Sequence, residues 1–333
     1  MPTVTAGTRP PDTTAPTSTT TTTGAPSTSL APGAPTSTTG VPTTTRPPTT
    51  ATPRPTTAPP AASAPRGLAT TSASLALVDP SRPTVSRGRT IATSRTLTTT
   101  VVRPTAGGPW PLLVFAHGFQ LGPPSYTRVM HALAGSGYVV AAPSFPLADA
   151  AVGGANIDRG DIPNQSGDLS FVIDRLLADG GGDAGVRAAI DRQHIGAVGH
   201  SDGADTVLDL GYTPGRLDAR VQAVVAMSPD AMTGSGGSGG SAPLLITHGD
   251  RDSIVPYSNA TTVFGQTHVH RFLMTLLGAD HLPPVTGAAP WTPVLDRTVL
   301  AFLDQRVAGR GGTDQDVIDA ATVAGVATIR SAG

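Results

Sequence analysis

Three short stretches of this chain carry the residue types that acyl transfer needs. The first is Gly199-His200-Ser201-Asp202-Gly203. A serine hydroxyl is a weak nucleophile until a base takes its proton and fixed donors receive the oxyanion it creates. The spacing G-x-S-x-G, between an apolar run and a helix-forming run, is that of a sharp strand-to-helix turn with serine at its tip. Its glycines leave room where side chains would collide, and the serine backbone must accept a strained conformation. The helix N-terminus behind Ser201 adds positive partial charge where an oxyanion would form. Taken alone the pattern is modest evidence, because an ordinary Gly-flanked turn in a chain with 39 glycines would look the same.

The second and third stretches supply the partners. His248-Gly249-Asp250-Arg251-Asp252 and Gly278-Ala279-Asp280-His281 each follow an apolar run. An acid to orient the base and a histidine to act as base thus follow the serine, in the order Ser, Asp, His. Asp250 and Asp252 both qualify as the acid. For the oxyanion, the backbone N–H of Asp202 donates from the helix N-terminus. His117-Gly118-Phe119 places the N–H of Phe119 opposite it. His117, His200 and His248 also lie at strand ends, and they are read as packed, structural histidines. His268 and His270 share one face of an expected strand, but no neighbouring carboxylate or cysteine completes a metal site, so no metal and no cofactor is expected. Asp202 beside the nucleophile is read as favouring the helix dipole or as weakening affinity for anionic substrates.

These groups need a scaffold that brings strand ends together. Continuous apolar runs at 111–116, 138–142, 195–198, 221–227, 243–247 and 269–276 read as strands buried on both faces, the last being the final strand. Runs at 74–78 and 96–103 alternate apolar and polar residues and read as an antiparallel edge. Helical patterns lie between: residues 126–133, a helix with Ser166 as N-cap and Asp168 in its first turn, 186–190, 204–210, and one opened by Thr292-Pro293. Residues 144–165 read as irregular and as the longest candidate lid, and 233–241 as a Gly/Ser loop. Alternating strands and helices imply an α/β fold, with a mostly parallel central sheet and helices on both faces.

Composition sets further bounds. The 333 residues contain no cysteine, which excludes disulfides and thiolate chemistry, and the net charge of −1 gives no electrostatic case for nucleic acid. No run is long enough to span a bilayer. Residues 1–66 are almost entirely Thr, Pro, Ala, Ser and Gly, and are expected to be a disordered tail or stalk. Residues 67–309 form the expected catalytic domain, and 310–333 a weakly helical extension. A stalk implies an extracellular or cell-surface location, although no export signal is visible in this sequence. A monomer is expected.

The region from about Leu75 to Ala308 resembles the α/β-hydrolases. It is most like the branch of dienelactone-hydrolase-like, chlorophyllase-like and platelet-activating-factor-acetylhydrolase-like esterases, to which bacterial cutinases and polyester hydrolases are related. The stretches that carry the likeness are Leu113-Val114-Phe115-Ala116-His117-Gly118-Phe119, Tyr138-Val139-Val140-Ala141-Ala142-Pro143, Gly199-His200-Ser201-Asp202-Gly203, His248-Gly249-Asp250-Arg251-Asp252 and Asp280-His281. The resemblance implies Ser201 as nucleophile, Asp252 as acid, His281 as base, and the amides of Phe119 and Asp202 as oxyanion hole. It implies a serine carboxylic-ester hydrolase. Polyester hydrolases of this group typically carry Ser-Pro-Trp where this chain reads Met227-Ser228-Pro229-Asp230. With Phe119 and Asp230 as the expected walls, small or medium esters are the expected substrates. The alternatives are a lipase, cutinase or polyester hydrolase, or a non-catalytic surface binding protein with the same fold.

Overall fold

Apolar side chains on both sides of a strand must be covered on both sides, and this requirement organises the whole fold. The computed structural model describes residues 66–179, 183–230 and 239–333, which fall within one compact unit. The chain enters through β1 (Thr70–Asp79), a small hairpin of β2 (Thr84–Ser86) and β3 (Arg89–Ala92), and β4 (Arg95–Pro104). There follow β5 (Trp110–Ala116), α1 (Thr127–Gly135), β6 (Val139–Pro143), α2 (Ala150–Gly153), α3 (Ile162–Leu177) and α4 (Ala184–Ala188). The second half contains β7 (Ile190–His200), α5 (Asp202–Tyr212), β8 (Val221–Met227), β9 (Leu244–Gly249), α6 (Tyr257–Gln266) and β10 (Arg271–Leu276). It closes with α7 (Pro283–Thr286), α8 (Trp291–Arg306), α9 (Asp314–Ala321) and β11 (Ala327–Ala332).

Nine strands form the main sheet in the order β1-β4-β6-β5-β7-β8-β9-β10-β11. The run from β6 to β10 is parallel, and β1, β4 and β11 pair antiparallel at the two ends. Side chains alternate along β5: Leu112 and Val114 face a core built with α3, α5 and α6, while Leu113 and Phe115 face one built with α1, α8 and α9. All these β5 side chains are fully buried. This is the mostly parallel sheet with helices on both faces that the apolar runs require. No helix among the described residues is long and apolar enough to cross a membrane.

Several expected elements need correction. The strand 269–276 is not the last, because β11 pairs along the whole of β10 and covers its edge. The segment expected to be weakly helical is therefore α9 plus a strand. Its polar, Gly-containing sequence gave no strand signal, and the unpaired β10 edge supplies one. His268 and His270 precede β10 and do not share a strand face. His270 pairs with Asp314 of α9 at 3.0 Å. Among the described residues no group of three His, Cys, Asp or Glu side chains is placed to hold a metal. Helix α3 starts four residues before Ser166, because Pro163 sits comfortably in a first turn. Ser166 and Asp168 are then buried inside the helix, and Asp168 is held by Arg95. The hairpin β2–β3 and helix α6 are additions to the expected elements.

Residues 144–165 are more ordered than expected, with short helical turns between irregular stretches. Phe145, Leu147 and Ala148 are buried, α2 follows, and single 3-10 turns form at Gly154–Asn156 and Arg159–Asp161. Of the Gly/Ser loop, residues 231–238 lie outside the described residues, as do residues 1–65 of the Thr/Pro tract.

Candidate active site

All the sequence-derived candidates lie just beyond the carboxyl ends of parallel strands, where loops can converge. Ser201 follows β7 and occupies φ 58°, ψ −129°, a left-handed conformation that a non-glycine residue accepts only under constraint. The constraint is visible. The Ser201 N–H donates to the Met227 carbonyl at 2.9 Å, and α5 begins at the next residue. A Cβ on Gly199 would run into the Gly203 backbone, and one on Gly203 into the Ala116 carbonyl. The turn can close only with glycine at both places.

Asp252 and His281, the residues expected as acid and base, meet across two loops. His281 Nδ1 lies 2.7 Å from Asp252 Oδ2, and both side chains are almost fully buried. Asp252 Oδ1 accepts the amides of Ile254 and Val255 at 2.9 and 2.8 Å. Burial alone would raise the Asp252 carboxyl. Hydrogen bonds from His248, His281 and the two amides outweigh it and hold the group far below the usual carboxylate range. Asp250 does other work, accepting the Gly278 amide at 2.6 Å and so fixing the loop that carries the base. Asp280 accepts the amides of Ser253 and His281, both at 2.8 Å, and staples the two loops together. Ser201 and His281 line the same cleft, with no direct hydrogen bond between them.

The two residues expected to donate to an oxyanion, Phe119 and Asp202, both line the cleft. Asp202 is the first residue of α5, and Phe119 follows β5 in a loop whose next residue, Gln120, has φ 64°. No protein acceptor among the described residues takes the N–H of Phe119 or of Asp202. Both residues line a cleft of about 430 Å³ together with Ser201 and His281.

The chlorophyllase family matches this chain over residues 78–265, more than half of its length. The chain belongs to the chlorophyllase family. That family is a group of ester hydrolases with the α/β-hydrolase fold. No curated protein matches the chain. The matched stretch includes Phe119, Ser201 and Asp252, while His281 lies beyond it and is placed by its contact with Asp252.

The three histidines read as structural are buried and hydrogen-bonded, and their partners lie around the cleft. Gly118 N–H donates to Tyr126 Oη at 3.0 Å, and Tyr126 Oη lies 2.9 Å from His200 Nδ1. His200 Nε2 in turn lies 3.1 Å from the His281 carbonyl. With Tyr126 held protonated by burial, its hydroxyl donates to Nδ1, so His200 carries its proton on Nε2. Burial pushes His200 down to about 3, which keeps this tautomer neutral. One buried chain thus connects the Phe119 loop, the residue before Ser201 and the backbone of His281. His248 Nε2 lies 3.0 Å from the Val255 carbonyl and 3.2 Å from Asp252 Oδ2, so it donates to both. His117 donates to the Gly118 carbonyl and accepts the Phe145 amide, each at 3.0 Å, and burial lowers its pKa.

Sequence reasoning missed one residue in the cleft wall of this family member. Arg159 reaches across the cleft to Asp202, with Nε at 2.8 Å and Nη2 at 2.6 Å from its carboxylate, and to Asp230 at 2.5 Å. Asn259 holds the other oxygen of Asp230 at 2.8 Å. The Asp202 side chain is therefore not a bare negative charge beside Ser201. Asp230 stands in the cleft wall as half of an ion pair. Nothing in the sequence around Arg159 marks it, because its partners lie 43 and 71 residues away.

Proposed function

We propose that this chain is a serine carboxylic-ester hydrolase working through an acyl-enzyme. Ser201 Oγ attacks the ester carbonyl carbon while His281 Nε2 takes its proton. The carbonyl oxygen becomes an oxyanion that accepts the N–H groups of Phe119 and Asp202. Collapse breaks the ester C–O bond, and the His281 proton goes to the departing alcohol. Water then attacks the acyl-enzyme, losing a proton to His281, and the acid leaves as Ser201 regains its hydrogen. The observation that best supports this is the 2.7 Å contact between His281 and Asp252 on the wall of a cleft that also holds Ser201 on its strained turn. A non-catalytic binding protein would have no need of that strain.

A fluorophosphonate probe should label the protein once, at Ser201, and Ser201→Ala should abolish both labelling and ester turnover with an unchanged melting temperature. Labelling that persists in the variant removes Ser201 from the role.

Small or medium esters are the substrates proposed, because one wall of the cleft is the polar Arg159–Asp230 pair. A buried methylene contributes about 0.8 kcal/mol only against apolar surface. A second possibility, a lipase, cutinase or polyester hydrolase, is favoured by one observation. Ile254 and Leu282, two of the few large apolar side chains exposed among the described residues, sit at the cleft. A panel of p-nitrophenyl esters graded by acyl length decides between them. A maximum of kcat/KM at short chains is expected, whereas preference rising steadily to long chains would show that Ile254 and Leu282 receive the acyl group. We place the protein outside the cell or on its surface on the stalk-like composition of residues 1–66 alone.

A further inference from the structure

We infer that Arg159 is a positioning residue for the oxyanion hole, cancelling the charge of Asp202 so that the Asp202 amide can receive an anion. This rests on the acyl-transfer chemistry proposed above. The sequence places a carboxylate on the very residue whose N–H would bind the oxyanion. The Asp202 side chain is only 5% exposed, so water screens it little. Two unit negative charges within several ångströms of each other, at an effective dielectric of about 20, oppose each other strongly enough to slow a reaction by roughly a hundredfold. A nucleophile elbow with an unpaired aspartate at this place would work against its own transition state.

Arg159 removes that conflict by geometry. Its Nε lies within 3.0 Å of both carboxylate oxygens of Asp202, and its Nη2 lies 2.6 Å from Oδ1. The fork therefore fixes the carboxylate as well as neutralising it. The guanidinium is itself held from behind. Asp230 binds Nη2, and Asn259 fixes Asp230. The turn that carries Arg159 is pinned at both sides. Asp158 accepts the amides of Gly160 and Arg87 at 3.0 and 2.8 Å, and Asp161 is gripped by the buried Arg95 at 3.0 and 2.7 Å. A half-exposed arginine has no packing reason to be placed so exactingly, and an exposed pair would be worth little. This pair is anchored because its partner is buried beside the reacting atoms. Asp205, also in the first turn of α5, accepts the Asp230 amide at 3.0 Å and holds the Asp230 backbone in register with this cluster.

The test is a double-mutant cycle on the full chain with p-nitrophenyl butyrate. Arg159→Gln should lower kcat about thirty- to a hundredfold with KM within about threefold of wild type. Arg159→Lys, which keeps the charge, should recover to within about fivefold. In an Asp202→Asn background the same Arg159→Gln change should cost less than about threefold, since the carboxylate on the oxyanion-donor residue itself is then gone. The double variant carries the test even where the single Arg159→Gln chain does not fold. An equal loss in both backgrounds, or a loss confined to KM, overturns the inference, because Arg159 would then act on the fold or directly on the substrate. The rate of Ser201 labelling by a fluorophosphonate separates the two levels. Absent labelling in wild type defeats the acyl-transfer chemistry itself. Labelling at the wild-type rate in Arg159→Gln defeats only the role given to Arg159.

Discussion

At the scale of single residues, the site is decided by which atom each carboxylate faces. Asp250 and Asp252 are two positions apart and chemically identical, yet one holds a backbone turn and the other faces His281. Asp252→Asn should lower kcat by about ten-thousandfold, the size seen when a triad acid can no longer fix the tautomer of its histidine. Asp250→Asn loses only an amide contact, so its cost should be under about tenfold. Steady-state kinetics on one short ester would settle the assignment, and a reversal of the two results would make Asp250 the acid. His248 belongs to the same cluster. It was legible as a histidine at a strand end, but its donation to Asp252 depends on the fold of the 249–255 loop.

At the scale of elements, the additions outside the parallel sheet are what hold the site in shape. The hairpin β2–β3 contributes Ser86 and Arg87, which bind the Asn156 and Ile157 carbonyls and so seat the turn bearing Arg159. At the other end, β11 covers β10, whose following loop carries His281, and α9 buries Val317, Ala320 and Ala321 against α8. A chain ending at Ala308 loses this cover. Burying one valine-sized side chain stabilises by roughly 1.5–3 kcal/mol, and an open strand edge adds to the loss. The truncated chain should melt about 5–10 °C lower and aggregate more readily, as calorimetry and light scattering would show. Equal melting temperatures would mean that α9 and β11 contribute nothing to the core.

At the scale of the whole molecule, buried ionisable groups set the response to pH. His200 and His117 are neutral in the fold with lowered pKa values, while in the unfolded chain they titrate near 6.5. The unfolded state therefore binds more protons below that pH, and stability should begin to fall as pH drops through about 6.5. Asp252 acts lower on the scale. Its carboxyl is depressed in the fold, so its contribution is complete above about pH 4 and is lost progressively below it. Denaturant midpoints measured from pH 8 to pH 3 should show a first decline near 6.5 and a steeper one below 4. A flat profile down to pH 4 would show that the two histidines bind protons without unfolding cost.

The sequence by itself determined the sheet, the elbow and the order of the chemical groups. Those rest on local signals: runs of apolar residues long enough to be buried on both faces, glycines at the two places where a side chain would collide, and catalytic types directly after strands. The resemblance already points to Asp252 as the partner of His281; only the tertiary structure decided that β11 closes the sheet edge and that residues 144–165 bring Arg159 onto Asp202. The reason is the same in each case. Arg159 meets Asp202, Tyr126 meets His200 and Asp280 meets Ser253 across separations of 43, 74 and 27 residues. A pairing set by where two loops happen to converge leaves no periodicity or motif in the chain.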